Sequence, residues 1–167
     1  MITLRAIEKE DLRMLKRWRN SPEVMPWCRQ YRPLSDTNML NWYESLTKDN
    51  EYNLTNDFLI MEYNGTPIGV GGYTRIDWRN RKAEVSFYVG EDTKRTSEVI
   101  TQALLVLLDY AYETLNLRKV YFPCYQGNPY LPLYKQVLQE EYVAKKEYYW
   151  KGQYLDRIVL VGYNDSI

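Results

Sequence analysis

Histidine is absent from the 167-residue chain, and cysteine occurs only at Cys28 and Cys124. Without histidine neither a Ser-His-Asp triad nor a Cys-His pair can form, and two cysteines leave no ordinary zinc site. They make no disulfide framework either. Acid–base chemistry therefore falls to Glu, Asp, Tyr, Lys, Cys or water. Charge of one sign is not in excess, because 22 Lys plus Arg balance 22 Asp plus Glu. No overall field draws in nucleic acid or an anionic membrane. No apolar run approaches the roughly 18 residues of a membrane helix, and the charged start MITLRAIEKEDL has no apolar signal core. The expectation is a soluble cytoplasmic protein.

What is present suits a globular domain. Hydrophobic residues make up 45% and charged residues 26% of the chain, ordinary values for a packed core, and the length fits one domain spanning 1–167. Tyrosine is abundant, with 17 copies beside 5 Trp and only 3 Phe. Such rings pair an apolar body with a polar tip, so they suit both a core rim and a half-wet pocket.

Alternation over residues 2–7 predicts a first strand, and EKEDLRMLKRWRNSPEV predicts a helix carrying Leu12, Leu15 and Trp18 on one face and stopped near Pro22. A second helix is expected over 35–49 with Ser35 as N-cap. Two strands then flank Asn64-Gly65, a hairpin turn signal. KAEVSFYVG supplies a fourth strand. A long helix follows over about 98–115, capped by Thr96 or Ser97, with apolar residues at a 3.6 period. RKVYFPCY is a fifth strand, followed by a helix whose start is restricted by Pro129 and Pro132, and by two strands joined at Lys151-Gly152. The order is β-α-α-β-β-β-α-β-α-β-β, a mixed α/β single domain.

That order resembles the Gcn5-related N-acetyltransferase (GNAT) superfamily, in its ribosomal-protein and amino-sugar acetyltransferase branch. The resemblance is carried by LRAIEKEDLRMLKRWRNSPEV, GTPIGVGGYTRIDWRNRKAEVSFYVG, ALLVLLDYAYETLNLRKVYFPCYQGNPYLPLY and YYWKGQYLDRIVLVGY, which together span nearly the whole chain. It implies splayed fourth and fifth strands with the pantetheine arm of acetyl-CoA in the gap, bonded to main-chain groups around Phe87, Tyr88 and Val89. It also implies direct attack of a primary amine on the thioester, the amine belonging to a small molecule, an amino sugar or a protein. A homodimer is a further expectation of the resemblance.

The same resemblance assigns roles to particular residues. Tyr134 matches the tyrosine that donates to the departing thiolate, a role suited to a phenol protonated at neutral pH. Asn128 matches the cofactor-orienting asparagine, although a turn role fits a residue between Gly127 and Pro129 equally. Glu84 matches a carboxylate that acts as base directly or through water; pairing with Lys82, Arg75 or Arg81 is its structural alternative. Trp27, Tyr31, Trp42, Tyr73 and Trp78 fall in segments that border the acceptor cleft, or else fill the core.

Glycine is missing where the resemblance most needs it. The phosphate loop of the family reads approximately [RQ]-x-x-G-x-[GA], yet no glycine lies between Gly90 and Gly127. Aligning the loop on Arg95 puts Glu98 and Ile100 at the glycine positions. A carboxylate there would face the pyrophosphate at a cost of about 1 kcal/mol in water and several near a protein surface. Lys94 and Arg95 can offset this through their side chains, and Thr96 and Ser97 through their hydroxyls. The alternative is a protein that keeps the fold without binding CoA.

Overall fold

The computed structural model describes residues 1–48 and 54–164. The last residue expected for the second helix, Asp49, lies outside them. Seven strands form one sheet: β1 (Ile2–Ala6), β2 (Asp57–Tyr63), β3 (Thr66–Asp77), β4 (Lys82–Val89), β5 (Lys119–Tyr125), β6 (Gln139–Trp150) and β7 (Gln153–Tyr163), in the spatial order β1-β2-β3-β4-β5-β7-β6. The helices are α1 (Leu12–Arg19), α2 (Asp36–Thr47), α3 (Ser97–Asp109) and α4 (Leu131–Val137). Among the described residues no helix is long and apolar enough to cross a membrane.

Local chemistry sets most of these boundaries. Asn64 and Gly65 both take positive φ, 50° and 78°, as a tight hairpin turn between β2 and β3 requires. Lys151 and Gly152 do the same between β6 and β7, at 44° and 86°. Ser35 caps α2 by accepting from the Asn38 N–H at 3.1 Å, while the Asn38 side chain accepts from the Ser35 N–H at 2.9 Å. Beyond Asp109 the helical path of α3 widens into a π turn over Tyr110–Thr114, which the periodicity alone did not reveal.

The sheet packs on both faces. Val85 and Val89 of β4 share one face with Ala103, Leu104 and Leu107 of α3, all almost fully buried. Leu15 and Trp18 of α1 and Met39 of α2 cover the other face with Ile60 and Val70. Tyr73 is fully buried in the α3-side cluster, where its hydroxyl donates to the Leu107 carbonyl. It is therefore a core residue rather than part of the cleft.

Among the described strands only β4 and β5 pair in parallel, over three positions: Lys82 with Lys119, Ala83 with Val120, and Glu84 with Tyr121. Beyond Glu84 the two strands separate. At the far end of β4 the chain passes beneath Trp18. A Cβ built on Gly90 would lie 2.2 Å from the Trp18 Cγ, so no side chain fits without moving α1. Gly90→Ala should lower stability by about 2 kcal/mol through overpacking. A reduced urea midpoint would show this; an unchanged midpoint would mean that α1 yields freely.

Candidate active site

The separation of β4 and β5 has a cause in the chain. On the β4-facing edge of β5 the Lys119 N–H donates to the Arg81 carbonyl at 3.1 Å, and strand alternation makes residues 121 and 123 the next donors on that edge. Residue 123 is proline, which has no N–H, so the ladder loses its next rung. Aromatic rings fill one side of the opening. Phe87 of β4 and Phe122 of β5 stack at 5.7 Å, and Tyr134 of α4 presents its ring edge-on to Phe122 at 4.7 Å and to Phe87 at 5.9 Å.

The opening leaves peptide groups without a strand partner. The Gly90 N–H donates to Ile68 of β3 at 2.8 Å. Alternation therefore turns the Phe87 and Val89 peptides into the gap and the Tyr88 peptide toward β3. Of the three candidate pantetheine contacts, Phe87 and Val89 face the opening through their main chains. Tyr88 instead contributes its ring to the opposite face, with the Arg19 guanidinium 6.0 Å from the ring centroid. Burial raises its phenol pKa far above the ordinary value, outweighing the nearby Arg19.

The loop from β4 to α3 is organised differently from the expectation. The Arg95 side chain folds back, donating to the Val89 carbonyl at 2.9 Å and the Gly90 carbonyl at 3.2 Å, with Asp92 at 2.7 Å. Lys94 lies over the Tyr63 ring, 5.1 Å from its centroid. Neither cation is directed by these contacts to the α3 N-terminus; Arg95 braces the loop. Thr96 is the N-cap, accepting from the Val99 N–H at 3.3 Å. The Ser97 and Glu98 N–H groups have no acceptor among the described residues. Free N–H groups at the positive end of a helix dipole suit phosphate.

The two residues at the glycine positions do not block that end. Glu98 is exposed, and its carboxylate accepts from the Gln102 side chain at 3.1 Å, one turn along α3. Ile100 is buried in the core and faces the sheet. The opening between β4 and β5 together with the Ser97 and Glu98 N–H groups fits a pantetheine diphosphate, and the donors it offers are main-chain rather than side-chain groups.

Asn128 spends its side-chain oxygen on the Tyr130 N–H at 2.9 Å, a turn role at the start of α4. Tyr130 in turn donates to the Arg95 carbonyl at 3.5 Å, joining the two loops at the mouth of the gap. Tyr134 is buried, its hydroxyl donates to no described residue, and burial raises its pKa well above that of an ordinary phenol. It keeps its proton at neutral pH.

On the α1–α2 face a cavity of about 300 Å³ opens between Trp27, Trp42, Phe58, Tyr88, Pro123 and Tyr125. Of the five candidate cleft aromatics only Trp27 and Trp42 line it; Tyr31 is exposed, and Trp78 donates to the Leu54 carbonyl at 2.8 Å. Glu84 lies just outside, in an adjoining cleft that shares Pro123. Its Oε1 accepts from Arg29 at 2.9 Å, and its Oε2 lies 3.6 Å from Arg75. Arg75 belongs to the pairing expected from sequence. Arg29, distant in sequence and held at φ 54°, could not be paired with Glu84 by any local pattern.

Comparison with known proteins agrees with this geometry. The acetyltransferase (GNAT) domain profile matches residues 1–130. The chain belongs to that family. It is 28% identical over 162 residues to the spermidine N(1)-acetyltransferase of Vibrio cholerae, covering 93% of this chain and 88% of that protein. It is 26% identical over 123 residues to the uncharacterized N-acetyltransferase p20 of Bacillus licheniformis, covering 71% and 67%. The crystal structure of the V. cholerae spermidine N-acetyltransferase in complex with CoA and spermine superposes with a TM-score of 0.82 at 24% identity, over 97% of this chain and 95% of that one. The dodecameric structure from V. cholerae gives 0.79 at 23%, over 97% and 93%.

The role given to Pro123 is open to mutation. Pro123→Val restores an N–H facing Val85, so an additional rung can close part of the gap. Acetyl-CoA affinity should fall roughly fivefold, the equivalent of one net hydrogen bond. Unchanged affinity by calorimetry would show that the separation has another cause.

Proposed function

We propose that this GNAT-family chain transfers an acetyl group from acetyl-CoA to a primary amine by direct attack. The observation that carries the reading is the gap beyond Glu84, with the Phe87 and Val89 peptides on one side and the buried Tyr134 at its floor. Phe87 and Val89 hold pantetheine as an added strand, and the Ser97 and Glu98 N–H groups hold its diphosphate. Acetyl-CoA supplies the activated thioester. The acceptor amine lies in the cavity lined by Trp27 and Trp42.

Tyr134 donates to the sulfur as the C–S bond breaks, and water then restores its proton. A raised phenol pKa makes it a weak acid but a protonated one throughout the neutral range, as this role requires. Glu84 has both oxygens facing guanidinium groups. We assign it to positioning Arg29 at the cavity wall, and the amine loses its proton to water. The chain works in the cytoplasm. It pairs with a second copy through the β6–β7 hairpin, where Tyr149 and Tyr154 are exposed.

A calorimetric titration with acetyl-CoA tests the reading. Micromolar binding is expected, and no binding at millimolar concentration would overturn it in favour of a fold that has lost its cofactor. Tyr134→Phe should lower kcat about a hundredfold with acetyl-CoA affinity retained; unchanged kcat would remove Tyr134 from the chemistry. Glu84→Gln should raise the acceptor KM more than it lowers kcat. A loss of kcat of two or more orders of magnitude with an altered pH–rate profile would instead make Glu84 the base.

A further inference from the structure

The cavity under α1 and α2 carries fixed charge of one sign. Arg19 and Arg29 line it, and among the described residues no Asp or Glu does so. Arg29 is neutralised by Glu84 at 2.9 Å. Arg19 is not: its Nε donates to the uncharged Gln30 side chain at 3.1 Å, and it forms no ion pair among the described residues. A basic residue at the end of α1 satisfies the helix dipole. That does not explain a half-buried guanidinium lining a cavity without a counter-ion, because charges withdrawn from water are ordinarily paired.

Arg19 is also held in place. Gln30 is 5% exposed and donates to the Asn20 side-chain oxygen at 2.9 Å, while the Asn20 amide donates to the Leu34 carbonyl at 2.9 Å. The Leu34 N–H returns to Asn20 at 2.8 Å. This closed polar network leaves the remaining Arg19 N–H groups to an outside acceptor. A fixed guanidinium fork of this kind binds carboxylate or phosphate.

We propose that the acceptor of this chain is a primary amine that also bears an anionic group, a carboxylate or a phosphate, bound by Arg19, with its body resting on Trp27 and Trp42. The inference rests on the acetyltransferase reading and deepens it. It sets this chain apart from the spermidine acetyltransferases it is similar to: a polycation entering this cavity meets arginine and, among the described lining residues, no carboxylate.

The test compares kcat/KM of the full chain with acetyl-CoA for tyramine, tyrosine, tyramine phosphate and spermidine. Tyrosine or tyramine phosphate should exceed tyramine by roughly tenfold, as expected of a charge-assisted contact, and spermidine should fall below tyramine. Which anionic amine wins distinguishes a carboxylate from a phosphate acceptor. Arg19→Gln should abolish the preference for the anion over tyramine, and Arg19→Lys, which keeps the charge but loses the fork, should retain only part of it. Calorimetric acetyl-CoA binding by each variant confirms that the fold is intact. Spermidine as the best acceptor, anionic amines no better than tyramine, or an unchanged preference in Arg19→Gln would overturn the proposal. If these occur with acetyl-CoA binding intact, only the acceptor class fails; absence of acetyl-CoA binding by the unaltered chain would remove the acetyltransferase reading with it.

Discussion

The interruption of a single parallel ladder organises this molecule. β4 and β5 pair over three positions and then part where Pro123 has no N–H to offer. Everything assigned to acetyl transfer lies along that opening: β4 peptides without a strand partner on one edge, the α3 N-terminus at its end and Tyr134 against its floor. An unpaired strand edge in a protein interior is costly unless its polar groups find partners. In the proposed function the partner is a ligand that can act as a strand. Stacked and edge-on rings from Phe87, Phe122 and Tyr134 keep the core side of the opening packed, since ring pairs contribute about 0.5–1.5 kcal/mol each beyond burial.

The missing loop glycines take on a different meaning in three dimensions. Glycine lets a backbone approach phosphate closely, but here the positions in question fall within the first turn of α3. One side chain turns outward to Gln102 and the other inward to the core. Bracing of the loop passes instead to Arg95, which fastens it to the carbonyls of Val89 and Gly90. A partly buried cation thus holds a turn that a glycine-rich sequence would shape through its own flexibility.

Much of the fold was legible from periodicity and turn chemistry. Asn64-Gly65 and Lys151-Gly152 marked the β2–β3 and β6–β7 hairpins because two consecutive positive φ values suit few other residue pairs. The apolar rhythm of α3 placed its buried face correctly. Its π turn was hidden, because a single widened turn leaves no composition signal. The site was legible only in part. Tyr134 could be found by its place after the fifth strand, whereas Tyr73 could be read as cleft or core and is core, since alternation does not say which face of a sheet bears the cavity. Pro123 stood in plain view inside a strand, and its meaning depends on knowing which edge its nitrogen faces. Arg29 with Glu84, and Arg19 with Gln30, meet only after folding.

The central claim is that the edge of β4 beyond Glu84 receives acetyl-CoA as an added strand. Residue-resolved amide hydrogen exchange, with and without acetyl-CoA, tests it most directly. Exchange at Phe87, Val89, Ser97 and Glu98 should slow on binding, while Tyr88, already turned toward β3, changes little. Binding that leaves Phe87 and Val89 exchanging as before would contradict the claim and place the cofactor elsewhere.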